Sequence, residues 1–182
     1  MADTLRAEAL VACSMDFEEL VREHQAMVFS LAYHFLQDRA AAEEIAQDVF
    51  VQLHSRLGRL ESPDHVRFWL RRTTSHRSID HLRKRKLRAE TALDDAPEPA
   101  TAASTGDPML SRRLRLLVAS LPEKARMIVV LRYQEDMELA EIAKTMSIPV
   151  NTVRSHLHRS LALLRDKVQR TMGNGAMAEG TK

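Results

Sequence analysis

Between Ala89 and Gly106 the chain runs through Ala, Thr, Asp and Pro with no apolar rhythm, while on both sides apolar residues recur at helical spacing. A stretch with no apolar face cannot join a packed core. The sequence is therefore confined to separate helical modules on an extended tether. Before the break, Phe17, Leu20, Val21, Met27, Val28, Leu31, Ala32 and Phe35 repeat at helical spacing behind Asp16, with Asp16 and Glu19 reading as a capping box. Asp38 reads as a second cap ahead of the stripe Ala42, Ile45, Ala46, Val49, Phe50 and Leu53. A loop is expected over Leu57–Glu61. Ser62-Pro63 then restarts a helix, with Pro at the first helical position, where its missing N–H costs nothing. Val66, Trp69, Leu70 and Thr73 share one face of it, and Ile79 and Leu82 continue the pattern.

After the break, Leu110, Leu114, Leu117 and Leu121 recur along a helix opened by Asp107-Pro108. Ser120 and Glu123 read as another capping box, with Pro122 just inside the next helix. A short helix is expected from about Met137 to Met146, a turn at Ser147-Ile148-Pro149, and a last helix from about Asn151 to Arg170, where Asn151 reads as an N-cap. No strand and no internal repeat is expected. The fold class predicted is all-α: two small helical domains joined by a flexible linker.

Net charge over the 182 residues is only +2, but it is unevenly placed. Arg67 to Arg88 holds nine Lys/Arg against one acid, Asp80, whereas Ala89 to Pro108 holds five acids and no base. Such segregation says more about partners than the total does. The single cysteine, Cys13, excludes an internal disulfide and cysteine-rich zinc sites and fits a reducing, cytoplasmic compartment. No apolar run approaches the roughly 18 residues of a membrane span, so no membrane insertion is expected, and no signal peptide is visible.

Three constellations carry chemistry. In the first, Leu139, Ile142 and Ala143 bury a short helix, and Val153, Leu157, Leu161 and Leu164 bury one face of the next, which is helix-turn-helix spacing. The opposite face offers Thr152, Arg154, Ser155, His156, His158 and Arg159. Side chains near the start of such a second helix reach base edges in the major groove; a plain helical hairpin with a solvated basic face is the alternative. The turn needs a residue at positive φ, which is commonly Gly, and here Ser147 or its neighbour must supply it.

The second runs from Phe68 to Arg88, where Trp69, hydroxyls and a dense cationic helix combine as they do in single-strand binding grooves. Its alternative is a solvated basic face with Trp69 in the core. The third is the acidic face of Glu43, Glu44, Gln47 and Asp48, either a solvated face or a protein-docking surface. His156 and His158, two apart, point to different sides of a helix, and no metal site is expected. Neither GxSxG nor HExxH occurs, so catalytic residues and cofactors are both expected to be none.

Taken together, the parts resemble the extracytoplasmic-function (ECF) sigma factors of the sigma-70 family. Phe17 to His54, with AEEIAQDVFVQLH, resembles the first part of sigma region 2; FWLRRTTSHRSIDHLRKRKLR resembles the −10 recognition and melting helix; Ser120 to Arg165 resembles region 4. His76 stands where Asn is common, and Ser147 and Asn151 where Gly is common. The resemblance implies an N-terminal extension (1–15), region 2 (16–88), an acidic flexible linker (89–107), region 4 (108–170) and a mobile tail (171–182). It implies binding of core RNA polymerase, at the β′ clamp and β flap, with Glu44, Gln47, Asp48 and Phe50 on the polymerase. Trp69, Arg72, His76, Arg77, Asp80, Arg83, Lys84 and Arg85 would then lie at the −10 element, and Thr152, Arg154, Ser155, His156 and Arg159 at the −35 element of promoter DNA. An anti-sigma factor is a further implied partner. The rival readings are a stand-alone helix-turn-helix regulator, which leaves Arg67 to Arg88 unexplained, and a small helical enzyme, for which no nucleophile or metal set is visible.

Overall fold

The computed structural model describes residues 16–91 and 108–176. The expected N-terminal extension with Cys13, residues 92–107 of the expected linker and residues 177–182 of the expected tail lie outside them. Among the described residues there are seven α-helices and no strand, as the all-α reading requires. The chain divides into two compact units, Met1–Ala100 and Thr101–Lys182.

In the first unit, α1 (Phe17–Leu36), α2 (Arg39–Arg56) and α3 (Pro63–Thr91) pack against one another in all three pairs. Local chemistry sets the helix starts. Asp16 caps α1 by accepting from the Glu18 N–H at 3.2 Å. The α1–α2 junction is only Gln37 and Asp38: Gln37 takes the left-handed conformation at φ 57°, and its N–H closes on the Tyr33 carbonyl. Asp38 then caps α2 through the Ala41 N–H at 3.1 Å. Leu57–Arg59 forms a single 3-10 turn where a loop was expected. Ser62 accepts from the His65 N–H at 3.2 Å and Pro63 opens α3, as expected. Phe35, Leu31, Val28, Val49, Leu53, Val66 and Leu70 are the fully buried centre. On α3 the buried residues next in line are Thr74, Ser75 and Ser78. Thr74 satisfies its hydroxyl within the helix, donating to the Leu70 carbonyl at 2.7 Å.

His24 lies on the buried side of α1, and its Nε2 has no hydrogen-bond partner. Burial pushes its pKa below the ordinary value of 6.5; Glu23 opposes the shift, and Arg67 and Arg71 reinforce it. A histidine whose folded pKa is depressed stabilises the fold fully above its unfolded pKa, and that stability is lost as pH falls from there through the folded pKa. Lowering the pH from about 7.5 to about 5.5 should therefore lower the urea midpoint of this unit. His76 is shifted the same way, first by burial and then by Arg72, so it adds a contribution of the same sign. His24→Leu should reduce the pH dependence without removing it. An unchanged dependence in that variant would show that His24 is not its source.

In the second unit, α4 (Pro108–Ala119), α5 (Glu123–Tyr133), α6 (Leu139–Met146) and α7 (Val150–Ala176) surround Met127, Ile128, Leu131, Met137, Ile142 and Val153. Every residue from Ala125 to Leu131 is buried, so α5 is the central helix. Two expected caps are replaced. Pro122 occupies the N-cap of α5, and the Ser120 hydroxyl instead donates to the Leu117 carbonyl at 2.6 Å and receives Lys167 from α7. The last helix starts at Val150, not at Asn151: the Pro149 carbonyl already accepts from Thr152 and Val153. It also continues six residues past Arg170, since each residue added to an established helix brings one more backbone hydrogen bond. For the same reason α3 runs three residues beyond Arg88. Leu114 is 53% exposed, contrary to its place in the expected leucine stripe. Among the described residues no helix is long and apolar enough to cross a membrane.

Candidate functional site

The acidic row sits on the outer side of α2. Ile45, Val49 and Leu53 are buried, which turns Glu43, Glu44, Gln47 and Asp48 to solvent. Glu43 is paired with Arg39 one turn earlier, at 2.9 Å. Beside the row, α1 and α2 enclose an open groove of about 850 Å³ with Phe17, Val21, Phe29, Phe50 and Val51 among its lining residues. Phe50 is itself largely buried, so it forms the wall of that groove rather than a projecting contact. Val51 is 71% exposed, a large apolar side chain left in water.

On α3 the expected strand-contacting residues separate into two sets. Trp69, Arg72, His76, Asp80 and Arg83 follow one another at three- and four-residue steps and form one stripe. Trp69 is half-buried, with the Arg56 guanidinium 5.9 Å from its ring centroid, within range of a cation–π attraction. His76 is half-buried, and its depressed pKa keeps the imidazole neutral near pH 7. Arg83 lies 3.6 Å from Asp80. The second set is turned elsewhere. Arg77 bonds Asp48 of α2 at 2.5 Å, and Arg85 bonds Asp38, the α2 cap, at 3.2 Å. Lys84 is exposed. Sequence reasoning did not find Arg56 or the second role of Asp38, because each partner lies on a different helix and no local spacing marks it.

In the second unit, α6 and α7 form the expected helix-turn-helix. Ser147 supplies the positive φ, at 54°, and its N–H reaches the Ala143 and Lys144 carbonyls. Arg132 braces the approach to α6, donating to the Met137 carbonyl at 2.9 Å and to Glu138 at 3.0 Å. Val153 is fully buried and anchors α7. Arg154, Ser155 and Arg159 are exposed, and Thr152 and His156 half-buried, so all five expected base-reading residues gather on the first three turns. Arg154 is held loosely by the Asn151 side chain at 3.3 Å. Farther along, the buried edge passes through Ser160, whose hydroxyl donates to the His156 carbonyl at 2.7 Å. Leu161, expected on that edge, is 37% exposed instead. Among the described residues no three His, Cys, Asp or Glu side chains come together as a metal site.

Residues 20–88 match the family model for sigma-70 region 2, and residues 111–164 match that for sigma-70 region 4. The chain is 28% identical over 168 residues to the ECF RNA polymerase sigma factor SigW of Bacillus subtilis (strain 168), covering 84% of this chain and 89% of that one. It is 31% identical over 161 residues to the ECF RNA polymerase sigma factor SigE of Mycolicibacterium smegmatis, covering 85% of this chain and 62% of that one. In fold it is similar to the sigma factor RpoE of Bartonella quintana, solved with the anti-sigma factor NepR, at a TM-score of 0.71 and 16% identity over 85% of this chain and 97% of that one. It is also similar to CnrH, solved with the cytosolic domain of CnrY, at a TM-score of 0.65 and 22% identity over 91% and 97%. A stand-alone regulator would need only the second of the two matched regions; with both present in this order, the chain belongs to the ECF subfamily of the sigma-70 family, the sigma factors that direct RNA polymerase in transcription initiation.

Proposed function

We propose that the first unit docks core polymerase with the outer face of α2 and engages the opened −10 region with the stripe on α3, while the second unit reads the −35 element with α7. The observation that carries this reading is the placement of an exposed acidic row beside an apolar groove on α2, with the cationic helix α3 packed against the same helix. Glu44, Gln47 and Asp48 provide the polar part of the docking face, and Phe50 and Val51 the apolar part. Trp69 offers a ring on which an unstacked base can lie. Neutral His76 can both donate and accept, Lys84 and Arg83 face phosphates, and Arg85 reaches them by exchanging its Asp38 partner. Thr152, Arg154, Ser155, His156 and Arg159 lie in the major groove. Residues 16–88 and 108–170 act as the two modules and 89–107 as the tether between them.

The chain carries no catalysis of its own and works in the cytoplasm. Its polymerase contacts are the β′ clamp for region 2 and the β flap for region 4. Fold neighbours solved with NepR and CnrY support an anti-sigma factor as a third partner.

The test is a core-binding titration coupled to transcription on a promoter library. Glu44→Lys should weaken core binding at least about tenfold, as expected for a charge set against its complement across an interface, with far-UV helicity unchanged. Normal core binding by that variant would remove α2 from the docking face. Failure of the wild-type chain to start transcription with core polymerase on any promoter would count against the whole reading.

A further inference from the structure

The Arg77 side chain leaves the DNA-facing stripe of α3 and closes on α2. Its Nη1 donates to Asp48 Oδ2 at 2.5 Å. With the Gln52 amide oriented oxygen-inward, that oxygen accepts from Arg77 Nε at 2.8 Å and from Nη2 as well. Asp48 and Gln52 stand one helical turn apart and so on one face of α2. A guanidinium is a rigid fork of donors, and here the fork spans both residues, 29 and 25 positions away in sequence. The Arg77 side chain is 36% exposed and that of Asp48 52% exposed. A pair this exposed contributes little to stability. What it does is fix an orientation: Asp48 Oδ2 is engaged by the guanidinium, while the carboxylate as a whole stays half exposed to an incoming partner.

We propose that Arg77 is a positioning residue for polymerase docking, acting through Asp48 and Gln52 rather than on promoter DNA. The inference rests on the reading of α2 as the docking helix. A pre-ordered carboxylate spares the complex the loss of side-chain freedom on binding. Loss of that ordering corresponds to about a 2- to 10-fold change in affinity.

The experiment measures core polymerase affinity for the full-length chain and, separately, binding of a −10 non-template strand by holoenzyme assembled at saturating core. Arg77→Ala should weaken core binding about 2- to 10-fold, and Arg77→Lys, which keeps the charge but not the fork, should fall between it and wild type. Asp48→Asn with Arg77→Ala should bind core no more weakly than Asp48→Asn alone. Strand binding by the Arg77→Ala holoenzyme should match wild type, whereas Lys84→Ala should weaken it. Unchanged or tighter core binding by Arg77→Ala, or a strand-binding loss equal to that of Lys84→Ala, overturns the proposal. If Glu44→Lys and Asp48→Asn weaken core binding and Arg77→Ala does not, only the role of Arg77 falls. If none of them does, the docking reading falls and this role with it. Should Arg77→Ala lose helicity, Gln52→Ala removes one arm of the same clasp from the other helix and is held to the same core-binding outcome.

Discussion

Arg154→Ala should collapse the preference for one −35 sequence over its single-base variants by roughly 5- to 150-fold, the equivalent of the ~1–3 kcal/mol that a bidentate arginine–guanine contact carries. The structure supports a base contact at this position for three reasons. Arg154 is exposed near the start of α7, at its fifth residue. The preceding residue, Val153, is fully buried and fixes the phase of that helix. Among the described residues the Asn151 side chain holds the guanidinium at 3.3 Å, a contact readily exchanged for a base. The loss should appear as a change in the ratio between promoters and not as a uniform weakening. Lys84→Ala is the contrast: an exposed ammonium meeting phosphate carries no sequence information, so it should scale all promoters alike. Binding and transcription across a panel of −35 variants separates the two. If Arg154→Ala scaled every promoter equally, α7 would not read bases through this residue.

Phe35→Ala should destabilise the first unit by about 3–5 kcal/mol, the usual cost of removing a fully buried aromatic ring from a core that cannot close around the space. Phe35 has no solvent exposure, lies in the last turn of α1, and is the largest fully buried side chain described. Small domains are stable by only about 5–15 kcal/mol, so the variant should unfold at far lower urea. The chain's one tryptophan, Trp69, belongs to this unit, so its fluorescence follows the first unit. Val51→Ala, at a position 71% exposed, should shift the same transition by less than about 0.5 kcal/mol. A loss below about 1 kcal/mol for Phe35→Ala would mean that the α1 core is far more plastic than its packing implies.

What could be read in the sequence was mostly local. Asp38 and Ser62-Pro63 were legible because a cap is a bond between a side chain and a backbone group two or three residues away. Ser147 was legible because a tight turn admits few conformations. Ser120 and Glu123 misled for the same local reason: their spacing is that of a capping box, but Pro122 took the N-cap and left Ser120 to Lys167 of α7. Leu114 and Leu161 misled because periodicity gives the direction of a buried face and not its width; how far burial extends depends on what packs opposite. The sequence marks the candidate DNA-facing residues of the basic helix as one set, whereas the structure divides them by where their side chains turn. Whether an arginine on a basic helix points to solvent or to a neighbouring helix depends on residues far away in sequence, such as Asp48 for Arg77 and Asp38 for Arg85.

The carboxylates already seated against α3 also bear on ion release. Nucleic-acid binding draws much of its free energy from small cations expelled when basic groups replace them along the phosphates, and the count of expelled ions sets how steeply affinity falls with added electrolyte. Arg83 and Arg85 lie against Asp80 and Asp38 before any DNA arrives. An arginine that must exchange a carboxylate for a phosphate brings that much less net positive charge to the duplex. The nine basic residues of Arg67–Arg88 therefore overstate the electrolyte sensitivity that this helix would show in binding nucleic acid.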